Sequence, residues 1–166
     1  NFQVHYPGPG VGGPCLPVNS YQMINFAKRI GFNNFTIVEA GRKINEFMPN
    51  HVIELLKDAF LEFNKEIKNS TILILGVSYK PDIKDIQLTP AESIISSLIK
   101  LGCNVKIYDP YFKNTTIFGI KTENNILNVL KETDGLVVVT THKEFHNLDS
   151  TFLKSNMRSP IVIDSK

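Results

Sequence analysis

Short, uninterrupted apolar runs constrain the fold of this chain more than any other feature. Ile72-Leu73-Ile74-Leu75, Leu136-Val137-Val138-Val139 and Ile161-Val162-Ile163 carry no polar residue. A strand that is apolar on both sides reads as one covered on both faces, the habit of parallel sheets. Helical stretches lie between the runs. Pro90 to Leu101 is expected as a helix with Thr89 as its cap, Pro90 at its first position, Glu92 completing a capping box and Gly102 ending it. Val105-Lys106-Ile107-Tyr108 is a further strand, closed by Asp109-Pro110. A weaker strand and a helix are expected between Thr116 and Lys131, and a short helix within Phe145–Leu153. Strands alternating with helices define an α/β, Rossmann-like parallel sheet with flanking helices over residues 70–166.

Residues 1–66 read differently, as a helical segment that precedes the sheet. Tyr6 to Pro17 is dense in Gly and Pro and reads as a loop. Asn19 or Ser20 is the expected cap of a helix to about Ile30, with Gly31 as its stop. A second helical stretch runs from about Thr36 to Lys65, and Pro49 is expected to kink or split it. Its Ile44, Met48, Val52, Leu56, Ala59 and Phe63 recur at steps of three and four, one apolar stripe. Two readings of that stripe stand side by side: a homodimer seam, or packing on its own domain. Residues 66–70 read as a polar hinge. In 166 residues, 18 Lys+Arg face 16 Asp+Glu, so no basic surplus points to nucleic acid. No apolar run approaches a membrane span. Two Cys form no disulfide framework and suit a reducing, cytoplasmic setting. The chain opens on Asn1 and closes on an expected strand end, and both ends read as cuts from a longer protein.

Two loops can carry chemistry. The connection from Val77 to Thr89 is long for a strand–helix link, and long links of this kind tend to be functional. It brings Tyr79, Lys80, Asp82, Lys84 and Asp85 to a strand's carboxyl end and a helix start, where ligands of open sheets bind and anions are favoured. The competing reading is a solvated loop whose lysines pair with its own aspartates. The other loop places Cys15 after Gly10, Gly12 and Gly13 and before a helix, an electropositive place suited to a nucleophile. The competing reading there is a small apolar residue in a tight loop, and Cys103 is read that way. Asp109 sits where a ribose is often held, but Asp-Pro also makes a plain turn, the favoured reading. His5, His51, His142 and His146 have no ligand spacing with either Cys, so no metal site is assigned.

Taken together, the two loops carry a resemblance. Gly10-Val11-Gly12-Gly13-Pro14-Cys15-Leu16-Pro17 resembles the active-site cysteine loop of the UDP-glucose/GDP-mannose dehydrogenase family. Leu75-Gly76-Val77-Ser78-Tyr79-Lys80-Pro81-Asp82-Ile83-Lys84-Asp85 resembles that family's lysine loop, and Thr89-Pro90-Ala91 and Tyr108-Asp109-Pro110 continue it in order. The resemblance implies the C-terminal part of a nucleotide-sugar 6-dehydrogenase, which uses NAD to oxidise a sugar C6 alcohol to a carboxylate. It implies Cys15 as the nucleophile, forming a thiohemiacetal and then a thioester. Asn19 stands where the family has an Asp that positions water. Gly10, Val11, Gly12, Tyr79 and Lys80 are implied to contact a UDP-sugar, with Lys80 on the diphosphate. Gln87 stands at a cofactor-contacting position usually held by Arg, and Val18 where one branch keeps a Lys.

Gly-Pro-Gly-Val-Gly-Gly before the Cys and Thr141-His142-Lys143-Glu144-Phe145 resemble the UDP-N-acetylmannosamine and UDP-N-acetylglucosamine branches. UDP-glucose enzymes more often have Trp at the position of His142, and UDP-glucose is the alternative substrate. A UDP-sugar-binding module without catalysis is the alternative function, argued from Asn19, Val18 and Gln87.

Overall fold

The computed structural model describes residues 6–165. The first five residues of the expected N-terminal loop, His5 among them, lie outside that range.

Helix α1 spans Leu16–Arg29 and α2 spans Thr36–Glu62. Then follow β1 (Thr71–Leu75), α3 (Pro90–Lys100), β2 (Asn104–Tyr108), β3 (Thr116–Ile117), β4 (Ile120–Lys121), α4 (Ile126–Leu130), β5 (Gly135–Val138), α5 (Ser150–Asn156) and β6 (Ile161–Asp164). A 3-10 turn covers Lys143–Asn147. The main sheet has the order β2-β1-β5-β6, and every pairing in it is parallel. From β1 the chain passes to β2 on one side and later returns to β5 on the other. The carboxyl ends of β1 and β5 therefore flank a topological switch point, the place where open α/β sheets bind ligands.

All five residues of β1 are buried, and the pleat divides them between two cores. Ile72 and Ile74 meet Val52, Ile53, Leu56 and Phe60 of α2 and Ile94, Ile95 and Leu98 of α3. Leu73 and Leu75 meet Val129 and Leu130 of α4 and Leu153 of α5. Burying each of these large side chains contributes about 1.5–3 kcal/mol.

Several expectations need correction. α1 starts at Leu16 with Cys15 at the N-cap position, four residues before Asn19, because Pro17 is tolerated in a first turn that has no partner for its missing N–H. α2 is continuous through Pro49, so the proline does not split it. A proline there removes only the bond to the carbonyl of Asn45, and that carbonyl faces Gly10 of the glycine loop instead. The apolar stripe is divided: Val52 and Leu56 are buried in the chain's own core, while Ile44 and Phe63 are exposed. Residues 66–70 are no free hinge: Ile67 packs on the core, and Asn69 N–H donates to the Gly102 carbonyl at 2.9 Å. Thr89 caps α3 by accepting from Ala91 N–H at 3.3 Å, but its own N–H donates to Ile86, so no capping box forms with Glu92. The weak strand near Thr116 is a β3–β4 hairpin turning at Phe118 and Gly119, with φ of 50° and 80°. Two positive φ values in the turn are what a type I′ connection demands. The helix expected within Phe145–Leu153 is divided by Leu148 into the 3-10 turn and α5.

Candidate functional site

The two loops singled out by the sequence form one body. Gly13 N–H donates to the Gln87 carbonyl at 2.9 Å. A methyl on Gly12 would collide with the Leu88 carbonyl and lie 3.1 Å from Tyr79 Cβ. A methyl on Gly13 would enter the Tyr79 ring at 2.7 Å. The glycines thus admit the lysine loop at backbone range, and Tyr79, half-buried, stacks its ring on them. Val11 is clamped from α2: its N–H donates to Asn45 Oδ1 at 2.7 Å and its carbonyl accepts from Asn45 Nδ2 at 3.1 Å. Asn45 was not evident in the sequence. The signal for it is an Asn inside a long helix, a place where that residue has poor propensity.

Cys15 is exposed at the N-cap of α1, two residues past Gly13. Asn19 lies one helical turn later with an exposed side chain, and its N–H donates to the Cys15 carbonyl at 2.8 Å. Cys103 is half-buried, its Sγ lies 3.4 Å from the Ile67 carbonyl, and burial pushes its thiol pKa up. One cysteine is open to chemistry and the other is packed. A cavity of about 520 Å³ opens beside the cysteine loop, lined by Gly10, Val18, Tyr21, Arg42, Leu88 and Pro90 among others.

In the lysine loop, Tyr79 N–H donates to the Asp85 carbonyl at 3.0 Å, and Gln87 N–H donates to Asp85 Oδ1 at 2.9 Å. Asp82 pairs with Lys143, through its backbone N–H at 3.0 Å and its Nζ at 3.6 Å. The Lys143 N–H is the main reason the Asp82 carboxyl lies below its ordinary value. Lys84 sits over the Phe112 ring at 5.7 Å. The reading in which the loop's lysines neutralise its own aspartates therefore fails. Lys80 is exposed and makes no ion pair or hydrogen bond among the described residues. The Gln87 side chain is likewise exposed and unbonded, although its backbone holds both loops.

Beneath the loop lies a buried polar bridge that the sequence did not reveal. Asp109 and His142 are fully buried. Asp109 Oδ2 accepts from Val77 N–H at 2.8 Å and lies 3.1 Å from His142 Nε2, while Oδ1 accepts from Tyr111 N–H at 2.9 Å. Burial raises the Asp109 pKa, but the His142 contact and the two backbone N–H groups outweigh it, so the group lies below its ordinary value. The favoured turn at Asp109-Pro110 is there, and the carboxylate points inward. Gly76, at φ +76°, lets β1 turn under Thr140, where any Cβ would strike the Thr140 carbonyl.

Comparison with known proteins supplies the family. The UDP-binding-domain model of the UDP-glucose/GDP-mannose dehydrogenase family matches residues 73–166, and its central-domain model matches residues 1–47. The chain belongs to this family. A UDP-N-acetyl-D-mannosamine dehydrogenase of Methanococcus aeolicus is 33% identical over 163 residues, covering 96% of this chain and 35% of that protein. A UDP-glucose 6-dehydrogenase of Bacillus subtilis is 29% identical, covering 96% of this chain and 34% of its own length. The solved UDP-D-ManNAc dehydrogenase of Pyrococcus horikoshii superposes with a TM-score of 0.86 at 30% identity, over 99% of this chain and 37% of that one. The chain spans about a third of the length of these relatives. Among the described residues, no group of three or more His, Cys, Asp or Glu side chains could hold a metal ion, and no helix is long and apolar enough to cross a membrane.

Proposed function

We propose that this chain forms the UDP-sugar-binding and cysteine-bearing part of an NAD-dependent nucleotide-sugar 6-dehydrogenase, with UDP-N-acetylmannosamine as its substrate. One observation carries the reading: the loop bearing an exposed, unpaired Lys80 is joined by backbone contacts to the loop bearing an exposed Cys15. A substrate whose diphosphate meets the lysine then has a fixed relation to the nucleophile. An unpaired cation beyond a strand's carboxyl end, at the approach to a capped helix, suits a phosphate.

Cys15 explains the depth of oxidation. Its sulfur adds to the C6 carbonyl carbon of an aldehyde, and the former carbonyl oxygen takes a proton. A carbon bearing both a hydroxyl and sulfur can surrender its hydrogen as hydride, which oxidised NAD would accept when bound, while the hydroxyl proton passes to water, leaving a thioester. Water then breaks the C–S bond, giving the carboxylate and returning the thiol. Asn19 can hold a water by hydrogen bonding, but a carboxamide cannot take its proton.

The described residues do not make a dinucleotide site. Gly8, Gly10 and Gly13 have the spacing of a dinucleotide fingerprint, yet no described strand leads into them, and Gly10 and Gly13 face Asn45, Pro90 and Tyr79. Gln87 offers a neutral amide. That amide can donate a hydrogen bond to a coenzyme pyrophosphate but brings no charge, so a full coenzyme site would need further residues beside Gln87. The test supplies the protein carrying this chain with NAD and each UDP-sugar in turn. Faster NAD reduction with UDP-N-acetylmannosamine than with UDP-glucose is expected, with an acid product. The reverse order overturns the substrate, and no reduction with either overturns the enzyme.

A further inference from the structure

We propose that His142 is a positioning residue for the phosphate site: its ring ties the turn carrying Lys80 to the ends of β2 and β5. The proposal rests on the UDP-binding reading of that loop and adds to it the part that fixes the lysine.

The geometry assigns the ring's tautomer. The backbone N–H of Asp82 points at His142 Nδ1 at 2.9 Å, and a backbone N–H can only donate. Nδ1 is therefore the acceptor and Nε2 carries the proton, which it gives to Asp109 Oδ2 at 3.1 Å. The same Oδ2 receives Val77 N–H, the second residue after β1. One imidazole thus links three crossings of the sheet: its own segment after β5, Asp109 after β2, and the turn after β1. Tyr111 and Phe145 hold the ring from the sides, with centroids at 5.0 and 5.5 Å.

The tie falls at the strained part of the loop. Asp82 has a φ of +60°, a left-handed conformation that is strained for a non-glycine residue. Such a turn persists only where its surroundings over-determine it. Here its N–H is held by His142, and its carboxylate is held by Lys143 at 3.0 Å. Lys80 stands two residues before Asp82 and has no hydrogen-bond or ion-pair partner among the described residues. The backbone sets where its side chain starts, and His142 holds that turn through the Asp82 N–H. A ring that supports the lysine without touching ligand should affect phosphate recognition far more than nucleoside recognition.

The test compares UDP with uridine by calorimetric titration on the chain and its variants. His142→Phe keeps the ring packing and removes both hydrogen bonds. UDP affinity is expected to fall roughly tenfold, the effect of losing about 1.4 kcal/mol, while uridine affinity changes less than twofold. Lys143→Ala removes a nearby charge and keeps the backbone N–H to Asp82, and UDP affinity is expected to stay within twofold. Equal losses of UDP and uridine in folded His142→Phe, no loss of UDP, or an equal loss from Lys143→Ala would overturn the proposal. Should His142→Phe not fold, nitrogen-15 shifts of the unsubstituted chain decide: an unprotonated Nδ1 and a protonated Nε2 are expected, and a protonated Nδ1 overturns it. Failure of the unsubstituted chain to bind UDP overturns the site reading itself, and the role falls with it even if the tautomer is as expected.

Discussion

The N-terminal helices and the sheet are built on opposite terms. α1 buries only Pro17, Ile24 and Ala27 and leaves Met23 and Phe26 more than half exposed. β1 buries every residue, and its neighbours close both faces. The change occurs inside α2. Before Pro49 the helix exposes Ile37, Ile44 and Phe47, and after it Val52, Ile53, Leu56 and Phe60 enter the sheet's core. The family's central-domain match ends at residue 47 and its UDP-binding match begins at residue 73, on either side of that half-helix. A site that joins the regions must therefore be stiffened locally. Asn45, the glycines and Tyr79 do this, since bulk burial does not.

Each region contributes one cysteine, which gives the largest contrast. In the protein carrying this chain, Cys15→Ser should abolish acid formation, because an alkoxide is a poor substitute for a thiolate that must add and later leave. Cys103→Ser should leave turnover near its starting value, and NAD reduction with quantified acid reads both. Equal losses would remove the distinction between them.

Stability gives the next contrast. Leu56→Ala, at a fully buried position, should cost about 2–5 kcal/mol in urea or thermal unfolding. Phe26→Ala, at a position 63% exposed, should cost no more than about 0.5 kcal/mol. A large cost at Phe26 would mean that the helical region is packed in solution and that the contrast is false. At the seam, Gly12→Ala should cost about 1–3 kcal/mol by forcing the Leu88 carbonyl away, and should weaken UDP binding as well. Loss of stability without loss of UDP binding would show that the loops act independently.

A smaller effect is set by pH. The folded Asp109 pKa lies below its unfolded value of about 3.9, so its contribution to stability is present in full above that value. It is lost as pH falls through the lower, folded pKa. Asp109→Asn should be less stable at neutral pH and should show a shallower loss below pH 4. An unchanged acid slope would place the titration elsewhere in the chain.

What could be read from the sequence follows the range over which each feature acts. The parallel strands show in their own apolar residues, and the end of α1 shows in Gly31. The start of α1 does not, because Asn19 and Ser20 are good caps that the helix bypasses once Pro17 fits its first turn. The residue types of both loops were legible, and the family resemblance implied Cys15 and Lys80 as parts of one site, a role that remains a proposal. The bridge through His142 was not. Its partners Asp109 and Asp82 lie 33 and 60 positions away, and only the strand order brings them together. The roles of Gly12 and Gly13 also emerge only when Leu88 and Tyr79 are seen against them.

The account turns on Lys80 as the phosphate contact, and calorimetric titration of UDP and uridine into Lys80→Ala tests it most directly. A charge-assisted bond to phosphate is worth about 1.5–3 kcal/mol, so UDP affinity should fall about ten- to a hundredfold while uridine affinity holds. Equal losses of UDP and uridine, or no loss of UDP, would contradict it.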